Sequence, residues 1–169
     1  EERARALNQA QAVVLSPGLE NLGNTCYMAS TVQILKRVNE LKAALNNLKT
    51  NPQTAAAMDG DSHWALSASQ LMNDLESKEN SFAPYQFVQT MRQTYPIFDE
   101  KNDKGGHKQQ DADECYQAML QSWRGPLQKA NDQEDVIGNL FEIELTSDIK
   151  CLEAPDEPST QQAEKVLRL

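Results

Sequence analysis

Residues 18–35, GLENLGNTCYMASTVQIL, constrain this chain more than any other stretch, because a glycine-punctuated turn runs straight into an amphipathic helix. Asn24 or Thr25 can serve as the N-cap, offering a side-chain oxygen to the open N–H groups of the first turn. Met28, Val32 and Leu35 repeat at helical spacing and give the helix a face to bury. A single cysteine, Cys26, sits where turn becomes helix, beside the positive end of the dipole, a place that stabilises a thiolate relative to the thiol. Position alone does not make it a nucleophile, since a free cysteine is more often a small buried hydrophobe.

The surrounding letters add to that. Gly18-Leu19-x-Asn21-Leu22-Gly23-Asn24-Thr25-Cys26-Tyr27-Met28, followed by Gln33, resembles the cysteine box of the ubiquitin-specific proteases, papain-like deubiquitinating enzymes. The resemblance implies that Cys26 attacks the carbonyl of ubiquitin's last glycine and that Asn21 donates to the oxyanion. The chemistry accounts for the spacing, because the tetrahedral oxyanion needs preorganised donors about 3 Å from the developing charge. A backbone N–H at the helix start and an Asn side chain from the preceding turn can both point there, provided glycine lets the turn fold back closely. Gln33, seven residues on, either shapes the cleft for the ubiquitin tail or bonds a neighbouring loop.

Composition sets the outer bounds. At 169 residues, 39% hydrophobic and 24% charged, the chain has the make-up of one packed soluble domain. It contains no apolar run of membrane-spanning length and no signal-peptide pattern, so the expected setting is cytoplasmic or nuclear, without a membrane. Cys26, Cys115 and Cys151 form no CxxC pair, which gives neither a disulfide framework nor a zinc signature; no metal or other cofactor is expected. The net charge of −9 is uneven: residues 1–50 carry +2, residues 51–108 carry −3 and residues 109–169 carry −8. Such a chain is poorly suited to nucleic acid; the acidity is either a solvated face or a match for a basic partner.

In chain order, residues 1–14 hold helix formers without a clear cap and read as a linker remnant or a frayed helix. The helix after the cysteine turn is expected to reach about Val38. Asn39 then caps a second helix carrying Leu41, Ala44, Leu45 and Leu48, closed by Asn51-Pro52. Residues 51–62 read as a loop with a short helix at 54–58. Trp64, Ala68, Leu71, Met72 and Leu75 mark a third helix, with His63 beside the stripe as a surface residue. Pro84 opens a fourth through Tyr95, facing Phe87, Val88 and Met91 inward and ended by Pro96. Residues 97–108 are charged and glycine-containing and read as a mobile loop.

Gln109-Gln110-Asp111-Ala112-Asp113-Glu114 opens the next helix, with an apolar stripe of Ala112, Tyr116, Met119, Leu120 and Trp123. Carboxylates in a first turn complement the dipole without any further role. Following a cysteine box, however, the run resembles the family's Gln-Gln-Asp-Ala-x-Glu block beside the cleft that grips ubiquitin's tail. By that resemblance Gln110 and Asp111 bond the tail's backbone and arginines, and a carboxylate can take an arginine in two parallel bonds. Tyr95-Pro96-x-Phe98-x-Glu100-Lys101, Asn39-Glu40-Leu41-Lys42 and Phe141-Glu142-Ile143-Glu144 further resemble the proteasome-associated member of the family. Beyond Gly125-Pro126 the stripe reaches Leu127 and dissolves into an acidic loop, and Val136, Ile137 and Leu140 make a turn or two of helix. From Phe141 the period becomes two, which predicts a half-buried strand through Ile149; Pro155 to Gln162 reads as a loop, and Lys165 begins a returning strand.

The expected fold is α+β and papain-like. An extension or linker occupies residues 1–16, a helical "thumb" residues 17–130, and the start of an antiparallel "fingers" sheet residues 131–169. Nothing matches the family's Gly-His-Tyr box on the "palm", and neither His63 nor His107 fits it. A thiolate of this kind works with an imidazole partner, so the chain is not expected to turn over substrate unaided. It is therefore read either as a fragment of a deubiquitinating cysteine protease or as a ubiquitin-binding pseudoenzyme. A plain helical interaction domain with a coincidental cysteine is the remaining class. The partners implied are ubiquitin, ubiquitinated proteins and the proteasome.

Overall fold

The computed structural model describes residues 17–50, 59–153 and 158–167. The readings for residues 1–14 and for a helix at 54–58 lie outside them. In order come α1 (Cys26–Leu35), α2 (Asn39–Thr50), α3 (Gly60–Ser77), α4 (Tyr85–Thr94), a 3-10 turn (Pro96–Asp99), α5 (Ala112–Ala130), α6 (Val136–Phe141), β1 (Glu142–Ile149) and β2 (Thr160–Leu167). The result is a helical body followed by an antiparallel two-stranded sheet.

Helix α5 is the hub, packing on α1, α2, α3 and α6. The apolar stripes of α2, α3 and α4 are buried as their spacing predicts, as are Tyr116, Met119, Leu120 and Trp123 of α5. Ala112, at the tip of that stripe, stays exposed. Trp64 of α3 sits among rings, with centroids 6.1 Å from Phe87, 5.4 Å from Tyr95 and 5.9 Å from Trp123. It thereby joins α3, α4, the 3-10 turn and α5 into one core. Asp59 caps α3 by accepting from Ser62 N at 2.8 Å, and the Ser62 side chain first and that N–H second hold its carboxyl below the ordinary value.

Several boundaries differ from the sequence reading. Helix α1 stops at Leu35, three residues short of Val38, because residues 36–38 close as a turn before α2. Helix α5 runs through Gly125 and Pro126 to Ala130; Pro126 is buried there, and the apolar stripe outweighs the missing N–H. Residues 97–108 form the 3-10 turn and a tight hairpin, in which Lys108 N donates to Glu100 O and Asn102 N to Gly106 O. The strand predicted as half-buried is exposed along nearly its whole length: Ile143, Leu145 and Ile149 are 46%, 45% and 57% exposed. Its partner starts at Thr160, inside the segment read as a loop, and pairs with it over eight positions from Glu142↔Leu167 to Ile149↔Thr160.

Polar contacts fix the sheet's inner end to the helices. Gln117 Nε2 donates to Leu167 O at 2.8 Å. Arg124 of α5 holds Asp135, the cap of α6, through a two-nitrogen fork and reaches Glu142 at 3.1 Å; Lys165 closes on Glu142 from β2 at 3.1 Å. The Arg124 guanidinium keeps the Asp135 carboxyl below its ordinary value, and Lys165 does so first for Glu142.

Candidate active site

The turn before α1 is built around one carboxamide. Asn21 Oδ1 accepts from Gly23 N at 3.0 Å, Thr25 N at 3.1 Å and Thr25 Oγ1 at 3.2 Å, while Thr25 Oγ1 accepts from Leu22 N at 3.0 Å. These bonds hold two successive left-handed residues, Gly23 (φ 88°) and Asn24 (φ 55°), the first of which suits only glycine comfortably. The segment before the turn is fixed as well. Glu20 N donates to Phe82 O, Phe82 N to Gly18 O, and Gln33 Nε2 to Pro17 O at 3.3 Å. Gln33 thus bonds the loop before the turn.

Thr25 is the N-cap residue, yet it makes no side-chain cap bond. Its hydroxyl is taken by Asn21 and Leu22, and Asn24 turns outward to give its Nδ2 to His107 O at 2.8 Å. Neither expected capping side chain bonds the first-turn N–H groups of α1. With its oxygen committed, Asn21 has its Nδ2 left as the donor to offer.

Cys26 is exposed at this mouth. Cys115, on α5, is its opposite: wholly buried, with desolvation pushing its thiol up to about 12. Burial also raises the Tyr27 phenol to about 12, and that ring stacks on Phe98 at 5.8 Å beneath the site. Of the three cysteines, Cys26 alone combines an accessible sulfur with a helix N-terminus and a neighbouring amide turn.

The second motif is brought to the same place. Gln109 Nε2 lies 3.3 Å and its Oε1 3.6 Å from Cys26 Sγ, across 83 residues of sequence. Gln110 Nε2 donates to Ile97 O at 2.7 Å, tying the start of α5 to the 3-10 turn. Asp111 is the N-cap of α5, its Oδ1 accepting from Asp113 N at 2.7 Å and Glu114 N at 3.2 Å. One of its oxygens therefore serves the helix. Gln109 is the residue sequence reasoning missed, although it stands in the same motif. His63 is exposed on α3, and the His107 ring is taken by Asp99 at 3.0 Å and by Lys101. The His107 contact also holds the Asp99 carboxyl low.

Residues 17–162 match the family described as "Ubiquitin carboxyl-terminal hydrolase". The chain is 38% identical over 151 residues to "Ubiquitin carboxyl-terminal hydrolase 6" of Arabidopsis thaliana, covering 88% of this chain and 31% of that protein. It is 36% identical over 160 residues to "Ubiquitin carboxyl-terminal hydrolase 7" of the same plant, covering 92% and 32%. With "Ubiquitin carboxyl-terminal hydrolase 14" of Caenorhabditis elegans it shares 30% over 175 residues, covering 97% and 32%. The chain thus spans about a third of the length of the curated relatives it matches.

Proposed function

From the premise that this chain belongs to the ubiquitin carboxyl-terminal hydrolase family, we propose that it carries the nucleophile half of a deubiquitinating cysteine protease that cleaves after ubiquitin's C-terminal glycine. Cys26 attacks that glycine's carbonyl and forms a thioester as the amine leaves; water then releases ubiquitin. Asn21 Nδ2 and a backbone N–H at the mouth of α1 receive the oxyanion. A histidine protonates the leaving amine. Neither histidine of this chain bonds Cys26, so we assign that role to the part of the family's longer proteins that this chain does not span.

In this reading residues 17–130 are the thumb, the β1–β2 hairpin begins the fingers, and Gln110, Asp111 and Gln33 line the path of the tail, Gln33 by bracing the loop before the turn. Proteasome association in the cytoplasm or nucleus follows from the resemblance alone. The observation that carries the function is an exposed sulfur at an uncapped helix mouth, within reach of the amide motif that opens α5. The test is to treat the intact protein with ubiquitin bearing a C-terminal electrophile and map the adduct by peptide mass. A single adduct on Cys26 is expected; an adduct elsewhere, or none, overturns the proposal.

Asp111 separates binding from folding. Asp111→Ala removes the cap of α5 and is expected to lower stability by about 1 kcal/mol in urea unfolding. Asp111→Asn keeps the capping oxygen and the stability but weakens ubiquitin binding about tenfold, through the lost charge-assisted bond to a tail arginine. Equal ubiquitin affinity of Asp111→Asn and wild type would leave Asp111 as a cap alone.

A further inference from the structure

We infer that Gln109 is a positioning residue for Cys26: its amide accepts from the thiol through Oε1 and donates to the thiolate through Nε2. The inference rests on the reading of Cys26 as the nucleophile. Three observations carry it. The first is contact, since both amide atoms lie within reach of one sulfur, Nε2 at 3.3 Å and Oε1 at 3.6 Å. The second is orientation: Nε2 also faces Gln110 O at 3.4 Å, a partner that only the nitrogen can bond, and this fixes which end of the amide is the donor. The third is anchorage on both sides of Gln109. Upstream, Asn24 Nδ2 holds His107 O and Lys108 N holds Glu100 O; downstream, Gln110 is tied to Ile97 O and Asp111 caps α5. A flexible surface glutamine would sample many positions, whereas this one hangs from a backbone pinned on either side.

The amide takes no proton. When the thiol ionises, its proton leaves to solvent or to the imidazole of the assembled enzyme, and Gln109 exchanges an accepted S–H bond for a donated N–H bond. The sulfur is then held at the helix mouth in both protonation states, ready for the incoming carbonyl. The nearby titratable groups do not confuse a pH measurement. Tyr27 and Cys115, pushed up to about 12, stay neutral across the range of interest. Asp111 is bound to its helix, and His107 to Asp99 and Lys101, and neither Gln109 substitution below removes those contacts.

The test is the pH profile of iodoacetamide alkylation, resolved by residue with mass spectrometry, so that exposed Cys151 serves as an internal control. Gln109→Leu removes donor and acceptor while keeping bulk. It is expected to move the half-maximal pH at Cys26 upward and slow alkylation at neutral pH about three- to tenfold. Gln109→Glu brings a negative charge to the sulfur and is expected to move it further. Asn24→Ala, which releases the hairpin from the cysteine turn, should shift it in the same direction by less. An unmoved Cys26 profile in Gln109→Leu, or an equal shift at Cys151, overturns the inference. Alkylation needs no ubiquitin, so its outcome is independent of whether the ubiquitin electrophile labels Cys26, and the two readings can fail separately.

Discussion

In the proposed deubiquitinating reaction, Asn21→Asp should lower the rate of ubiquitin C-terminal amide hydrolysis about 10²- to 10³-fold while leaving the stability of the protein unchanged. The two atoms of the Asn21 carboxamide do different work. Its oxygen accepts from Gly23 N, Thr25 N and Thr25 Oγ1, and so sets the turn in which Gly23 and Asn24 adopt left-handed backbone angles. A carboxylate accepts those three bonds at least as well and fits the same space, so the turn survives in Asn21→Asp. What it lacks is the Nδ2 donor, and it places a negative charge where the proposed mechanism develops another. Asn21→Ala loses both functions, so the rate falls and unfolding is also eased by about 1–3 kcal/mol, because Thr25 N, in a part-buried bond, is left without its acceptor. The comparison of Asp with Ala, read as kcat beside urea unfolding, separates turn from oxyanion. An Asn21→Asp enzyme that turns over near the wild-type rate would confine the residue to holding the turn and leave the oxyanion to backbone donors alone.

The parts of the molecule legible in the sequence are those in which a residue's role is decided by its neighbours three or four positions away. Leu41, Ala44, Leu45 and Leu48 announce a buried face because a helix brings them together whatever else the chain does, and Trp64 through Leu75 do the same. The strand shows the limit. Its alternation of Ile143 and Leu145 with Glu142 and Glu144 is visible, but alternation says which residues share a face and not whether anything lies against it. The failed cap has a different cause. Thr25 and Asn24 were each good capping residues, yet Asn21 and Leu22 in the same turn compete for the Thr25 hydroxyl, and His107 takes the Asn24 amide.

Gln109 was hidden for the opposite reason. Its local sequence is fully explained by the start of α5, and its contact with Cys26 exists only because a hairpin closes between them. One local signal for that closure was available. Asn102 lies three residues before Gly105-Gly106, and its Oδ1 takes Lys104 N and Gly106 N, the side-chain bonding expected of an asparagine that opens a turn. Read that way, residues 97–108 are a device that brings Gln109 back toward the cysteine turn rather than a loop.

Trp64→Ala is expected to cost about 3–5 kcal/mol, roughly a fifth or more of the stability of a typical domain. The side chain is fully buried and meets rings from three other parts of the fold, Phe87 on α4, Tyr95 before the 3-10 turn and Trp123 on α5. No single neighbour can move in to fill the space without abandoning another, so most of the cavity should persist. Trp64→Phe should cost no more than about 2 kcal/mol, because the indole N–H that it deletes is buried without a partner among the described residues and its removal relieves a desolvated donor. Urea unfolding of the three proteins decides between packing and polar accounts of this residue: a Phe variant as unstable as the Ala variant would mean that the N–H, and not the ring, holds the site together. The consequence extends to chemistry. Trp123 of α5 packs on Trp64, and the start of the same helix, where Thr31 Oγ1 reaches Ala112 O at 3.4 Å, follows Gln109, whose amide meets the cysteine, so loosening the core contact is expected to slow alkylation at Cys26.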